Sequence, residues 1–174
     1  MALTKEAAPE EVKPDMIAWP ETMVPVPLHA AFRNAPDSAF RSFNDPAGMT
    51  MRRENAQLAL VYFEELANKT HIALLLGYGS IDPRNNLTDS VKQNRTGLVL
   101  PAGEGPASAD GVRRGGLVEE YAKVHLVPFG EYLPFRSLPV VGKWMVLLSP
   151  YGFDFSNVPG HEWTRFVLPV GNRK

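Results

Sequence analysis

The sequence predicts a mixed α/β fold (α/β or α+β), and three observations carry that expectation. His71–Tyr78 holds the unbroken apolar run Ile72-Ala73-Leu74-Leu75-Leu76, the signature of a strand buried on both faces. Thr50–Asn68 is the best helix in the chain, with Leu58, Val61, Tyr62 and Leu66 at helical spacing. Sixteen prolines and 14 glycines in 174 residues cut the remainder into short elements and long loops, which argues against a helical bundle.

In chain order, Leu3–Val12 reads as a short helix interrupted by Pro9, and Lys13-Pro14-Asp15 as a turn. Met16–Trp19 is a short apolar run and a buried strand; Pro20 cannot donate to a ladder, so the strand ends there with Glu21 at its tip. Thr22–Asn44 is a Pro-rich loop with a short helix near Leu28–Arg33, ended by Asp45-Pro46. The stripe of the Thr50–Asn68 helix is expected in the core. Gly77 and Gly79 close the central strand, and Ser80–Asp89 is a polar loop. Asn94–Leu100 is a strand ended by Pro101, and Ala102–Gly116 a Gly/Pro/Ser-rich turn or hairpin without the spacing of a phosphate loop. Leu117–Val127 is a strand. Leu138–Leu148 is strongly apolar, either a core segment or an exposed arm that touches lipid. Tyr151–His161 is a loop and Thr164–Val170 a final strand.

The length is that of one domain or a piece of a larger one. A net charge of −1 gives no reason to expect nucleic acid as a partner. No 18-residue apolar span is present, and the first residues lack the apolar core of a signal peptide. The chain has no cysteine, which excludes disulfides and thiolate metal sites. His29, His71, His125 and His161 are scattered without metal-ligand spacing. Gly77-Tyr-Gly-Ser-Ile lacks the order of a serine-hydrolase elbow. Glycosylation sequons begin at Asn68, Asn86 and Asn94; without a secretory signal they carry no argument.

The residues left with chemistry to offer are Glu21, Lys123 and Glu131. In the Leu117–Val127 strand, Lys123, His125 and Val127 share one face, and Val124 and Leu126 point the other way. A lysine in an apolar strand is costly to bury unpaired and should find a carboxylate. A Glu–Lys–Glu cluster suits acyl transfer. One glutamate takes a proton from a nucleophile, the ammonium stabilises a tetrahedral oxyanion, and the second glutamate holds the lysine. A surface ion-pair network accounts for the same residue types about as well. His125 is expected to be a packed, hydrogen-bonded strand histidine.

Two blocks carry a resemblance: Lys13-Pro-Asp-Met-Ile-Ala-Trp-Pro-Glu21 and Tyr121-Ala-Lys-Val-His-Leu-Val-Pro-Phe-Gly-Glu-Tyr-Leu-Pro-Phe-Arg136. Together they resemble the apolipoprotein N-acyltransferase family, a membrane branch of the nitrilase (carbon–nitrogen hydrolase) superfamily. The Trp-Pro-Glu block is moderately specific and the Val-Pro-Phe-Gly-Glu-Tyr-Leu-Pro-Phe continuation highly so. The resemblance implies an α-β-β-α sandwich, of which residues 1–174 would be a partial domain truncated at both ends. It implies that Glu21 is the general base, Lys123 the oxyanion stabiliser and Glu131 a supporting glutamate. The family's nucleophile is a cysteine in a Cys-Tyr-Glu motif that would follow this stretch. Without it these residues are expected to be inactive alone. No metal or organic cofactor is implied. The implied partners are a phospholipid acyl donor, a diacylglyceryl-lipoprotein acceptor and a membrane surface met by Val140–Leu148. The implied parent sits in a bacterial inner membrane with this domain on the periplasmic or outer side. Two alternatives stand beside it: a truncated soluble nitrilase-type amidohydrolase, and a degenerate, non-catalytic lipid- or lipoprotein-binding domain.

Overall fold

The apolar run that begins at Ala73 continues as strand to Asp82, and the sheet is built around it. The computed structural model describes residues 14–41, 43–83, 91–107, 109, 112–135, 138–148 and 156–168. Among these the sheet has four strands, ordered β1 (Met16–Val24), β2 (Ala73–Asp82), β3 (Val91–Leu100) and β4 (Gly116–Ala122). β1 lies parallel to β2, from Met16 opposite Ala73 to Trp19 opposite Leu76. β3 is antiparallel to β2, and β4 to β3. The fold is therefore mixed α+β, as the sequence predicts: a mixed four-stranded sheet with one main helix. The ends of β1, β2 and β4 and the start of β3 meet at one margin of the sheet, where Glu21, Asn94 and Lys123 lie.

Between β1 and β2 the chain forms a short helix α1 (Ala30–Arg33), a 3₁₀ turn (Asp37–Phe40) and the long helix α2 (Pro46–Thr70). Asp45-Pro46 opens α2 rather than merely ending a loop. The Asp45 side chain accepts from the Gly48 N–H at 2.9 Å, and proline sits in the first turn, where no backbone donor is needed. His71 closes the helix in the left-handed region at φ 51°.

α2 covers one face of the sheet. Leu60, Phe63, Leu66 and Ala67 pack on Leu74, Leu76, Tyr78 and Val99, and Trp19 meets Phe63 edge to face at 5.5 Å. Burial of each large apolar side chain is worth about 1.5–3 kcal/mol, so this layer holds the sheet in register. The inward stripe is not the expected one. Leu66 is buried, but Leu58 is 69% exposed, and Val61 and Tyr62 also face outward. Helical spacing fits two stripes here. The chosen one runs Ala56-Leu60-Phe63-Ala67, whose two fully buried alanines let the helix approach closely.

The opposite face centres on Ala73, Leu98 and Leu100, with Leu75, Val118, Phe166 and Leu168 packed against them. Residues 164–168 do so without forming the expected strand. Their inward-outward alternation survives, with Val167 exposed between Phe166 and Leu168, but no ladder accompanies it. The expected Leu3–Val12 helix lies outside the described residues. So do parts of the 80–89 and 151–161 loops and the end of the 164–170 segment.

Several boundaries need correction: β3 begins at Val91, not Asn94, and α2 at Pro46, not Thr50. β1 does not stop at Pro20. It is an edge strand whose register shifts between Trp19 and Val24, and such an irregular edge tolerates a missing donor. Gly77 and Gly79 do not close β2; they lie inside it. β4 ends at Ala122, so the alternation expected to carry on through Val127 does not apply. His125 is exposed beyond the strand, its ring 5.6 Å from that of Trp163, and is not a packed strand residue. Leu138–Leu148 folds as helix α3 (Pro139–Leu148) with Val140, Trp144 and Leu147 exposed, so it is not a core segment. No helix among the described residues is long and apolar enough to cross a membrane.

Candidate functional site

Glu21 reaches the sheet margin through a break in β1. Trp19 is still paired with Leu76, the register then slips, and Thr22 takes φ 56°. A β-branched residue in that region is strained by about 1–3 kcal/mol. The neighbouring strand makes room with Gly77. A Cβ there would stand 2.9 Å from Glu21 Cα and would strike the Pro20 carbonyl. Sequence marks this glycine only as a break; its use is the close approach of β1 to β2.

Lys123 arrives from the other side, one residue past β4. Its N–H donates to the Asn94 carbonyl at 2.8 Å, and its own carbonyl accepts from Gly160 N–H at 2.9 Å. The backbone beneath the ammonium is thus fixed by β3 and by the 156–160 segment. Glu131 comes from the turn that follows. The Gly130 and Glu131 N–H groups both donate to Val127 O, and Phe129 sits at φ 62°.

The three predicted side chains converge. Lys123 Nζ lies 3.2 and 3.3 Å from the two Glu21 oxygens. It lies 3.0 and 2.9 Å from the two Glu131 oxygens. Exposure falls across the cluster: the side chains are 52% exposed at Glu21, 28% at Lys123 and 12% at Glu131. Glu21 faces the open side, and Glu131 is the anchored partner, its Oε2 accepting from Val127 N–H at 2.7 Å.

Partial burial opposes the charge on Lys123, but the hydrogen bonds it donates to Glu131 and Glu21 outweigh it and hold its pKa above the ordinary lysine value. Burial likewise opposes ionisation of Glu131. The Val127 N–H and the Lys123 ammonium overcome it and hold the carboxyl below the usual range. Lys123 is thus a fixed cation and Glu131 a fixed anion at neutral pH.

Two asparagines that sequence reasoning missed complete the cluster. Asn94 Nδ2 donates to Glu21 Oε1 at 2.6 Å and also to Glu131 Oε1. Its Oδ1 accepts from Asn157 Nδ2 at 3.2 Å. Asn157 in turn donates its backbone N–H to Glu131 O at 2.7 Å. In the sequence Asn94 stands out only as the start of a sequon and of the Asn94–Leu100 strand. The signal that places it is the pairing of Arg95 with Ala122, which sets Asn94 beside Lys123.

A second, separate network lies under α2. Glu120 accepts from the Tyr78 hydroxyl and has His29 Nδ1 at 3.0 Å. Burial works against the Glu120 carboxylate, but His29 and Tyr78 more than compensate and lower its pKa. Burial first, and then Glu120, raise the pKa of Tyr78. An ionised carboxylate only accepts, so His29 carries its proton on Nδ1. Tyr78 and Glu120 are two strands apart, and Gly97 lies between them. A Cβ at Gly97 would stand 3.3 Å from the tyrosine ring and 2.6 Å from a Leu117 methyl, so the glycine lets the ring lie across β3.

Chemically, the Lys123 cluster can accept a proton at Glu21 and stabilise a developing oxyanion at the ammonium. The sequence holds no thiol. No model of a known protein family matches the chain, and no curated protein matches it.

Proposed function

We propose that this chain carries the base and oxyanion half of a nitrilase-type acyl-transfer site, of the apolipoprotein N-acyltransferase kind. The observation that supports the reading is Lys123 held between Glu21 and Glu131, with the more open carboxylate on the accessible side. Glu21 takes the proton from a thiol supplied from outside these 174 residues. The thiolate attacks the acyl ester carbon of a phospholipid, and the oxygen that becomes negative is met by the Lys123 ammonium. The ester alcohol leaves with the proton from Glu21, and a thioester remains. An amine then attacks the thioester, the thiol is released, and an amide forms. Glu131 keeps Lys123 in place and ties it to the Val127 turn.

An apolar run beside the site favours a lipid substrate. Phe129 and Phe135 are exposed at φ 62° and 59°, and Leu138, Val140, Trp144 and Leu147 follow, also exposed. Val140, Trp144 and Leu147 form one helical stripe, the form an interfacial helix takes. We assign this stripe to the membrane face of the parent enzyme, on the periplasmic or outer side of a bacterial inner membrane. The same stripe also fits a non-catalytic lipid-binding domain, the second reading.

One experiment separates them. A short-chain phospholipid with a labelled acyl group is incubated with the chain and a small added thiol, and the thioester is quantified. Acyl transfer to the thiol should be faster than in buffer, and Glu21→Gln and Lys123→Met should remove the gain. Lipid binding without acceleration overturns the acyl-transfer reading in favour of the binding domain. Acylation of the chain itself, which has no thiol, overturns the assigned mechanism.

A further inference from the structure

A cavity of about 270 Å³ opens beside the Lys123 cluster, at the margin where β1 and β2 end. Crevices beyond the carboxyl ends of parallel strands are the usual ligand sites of α/β sheets. Thr22, the residue after Glu21, and Asn94, which binds both glutamates, are in its wall. The cavity and the acyl-transfer cluster are therefore adjacent, but their charges are opposite. The cluster has two carboxylates to one ammonium. The cavity wall has Arg52 from α2 and Lys92 from β3, and no carboxylate among the described residues that line it. Neither cation is in an ion pair with a described carboxylate.

The neutral polar groups of the wall are also biased toward donation. Gln93 gives its Oε1 to Arg95, accepting at 2.6 and 3.1 Å, which leaves its amide N–H groups to donate. Ser80 is buried and its Oγ accepts from Arg95 Nε at 3.1 Å, so its O–H remains a donor. Two cations with amide and hydroxyl donors, and no acid among the described lining residues, suit an anion with several oxygens. A carboxylate has two oxygens; a phosphate group has enough to meet all four.

We infer that this cavity is a phosphate-binding site, taking a phosphate mono- or diester next to the Lys123 cluster. The inference goes beyond the acyl-transfer reading and stands whether or not acyl transfer occurs. The phosphate can belong to a small soluble compound or to a lipid headgroup, and the same chemistry recognises both.

The test uses the whole 174-residue chain and titration calorimetry at constant ionic strength held by chloride. The probes are inorganic phosphate, glycerol phosphate, a short-chain phosphatidylglycerol below its micelle concentration, and a diacylglycerol of the same chain length. Inorganic phosphate should bind one to one, with a dissociation constant on the order of 1 mM. Arg52→Gln and Lys92→Gln should each weaken it about tenfold, which is about 1.4 kcal/mol. Lys69→Gln, at a distant exposed ion pair, should leave binding unchanged, with circular dichroism confirming that all variants fold. Glu21→Gln should also retain binding, so failure of acyl transfer and failure of this site give different results. Tighter binding of the phosphatidylglycerol than of glycerol phosphate, with none for the diacylglycerol, assigns the phosphate to a lipid; the reverse order assigns a soluble compound. Phosphate binding no better than chloride, or equal in the Arg52 and Lys92 variants, overturns the inference.

Discussion

Lys123 Nζ stands 2.9 Å from Glu131, eight residues on in the chain, and 3.2 Å from Glu21, 102 residues before it. The near carboxylate is shielded and tied to a backbone N–H; the far one is half in water. The two pairs should therefore differ in what they contribute. Lys123→Met leaves the shielded Glu131 without its cation and should cost about 1–2 kcal/mol, a value discounted for the exposure of the lysine. Glu21→Gln removes a charge that water already screens and should cost under about 1 kcal/mol. Urea unfolding of the two variants measures both. Equal losses would show that Glu131 is not the structural partner.

Glu131 sets the acid side of the stability profile. Its carboxyl is held below the usual range by the Val127 N–H and Lys123, after burial has acted the other way. The unfolded chain therefore takes up the proton first, near pH 4.3. The stabilisation is present above that pH and is lost as pH falls through the lower folded-state value. Glu131→Gln should flatten this part of the acid limb while lowering stability at pH 7. A variant whose acid limb matches the parent's would place the titrating group elsewhere, with Glu120 the next candidate because its pKa is also lowered.

Gly77 allows the irregular part of β1 to close on β2. Gly77→Ala would put a methyl carbon 2.9 Å from Glu21 Cα and against the Pro20 carbonyl. Backbone is in the way, not the end of a flexible side chain, so the strand must shift. The cost should be about 1–3 kcal/mol, and the Glu21–Lys123 pair should loosen. Gly79→Ala is the control, since a Cβ there meets nothing within 4 Å. Thermal melts of the two variants decide it. A benign Gly77→Ala would mean that Glu21 does not depend on this approach.

The legibility of these features in sequence follows from the range of the interactions that make them. β2 was readable because burial on both faces writes a continuous apolar run, Ala73-Leu74-Leu75-Leu76. α2 was readable as a helix but not for its face, because Ala56 and Ala67 are weak apolar signals beside Leu58 and Val61. The end of β4 was not readable, because the turn after Ala122 is fixed from outside by Asn94 and Gly160. Glu21, Lys123 and Glu131 were found through the two blocks that carry them. Asn94 and Asn157 were not, since their role arises only when β3, β4 and the 156–160 segment are side by side.

Tyr78 and Glu120 give the alkaline side. Burial, and then the Glu120 carboxylate, raise the Tyr78 pKa above the ordinary tyrosine value. The unfolded chain releases this proton near pH 10, while the folded chain still holds it. Above pH 10 the unfolded state thus binds fewer protons, and stability falls by about 1.4 kcal/mol per pH unit for this one group. Lys123, whose pKa is raised by its two carboxylates against the effect of burial, adds a loss in the same direction in the same window. Tyr78→Phe should abolish the tyrosine part and leave the lysine part, so the alkaline slope becomes shallower by one group. At pH 7 the same variant deprives a shielded carboxylate of a donor and should cost about 1.5–3 kcal/mol. Glu120→Ala does the converse and leaves a buried hydroxyl unpaired, at about 1–3 kcal/mol. Chemical unfolding between pH 7 and 11 measures the slopes. An alkaline slope unchanged in Tyr78→Phe would mean that the hydroxyl ionises as freely in the folded chain as in the unfolded one, and the Tyr78–Glu120 hydrogen bond would then not be what ties β2 to β4 across β3.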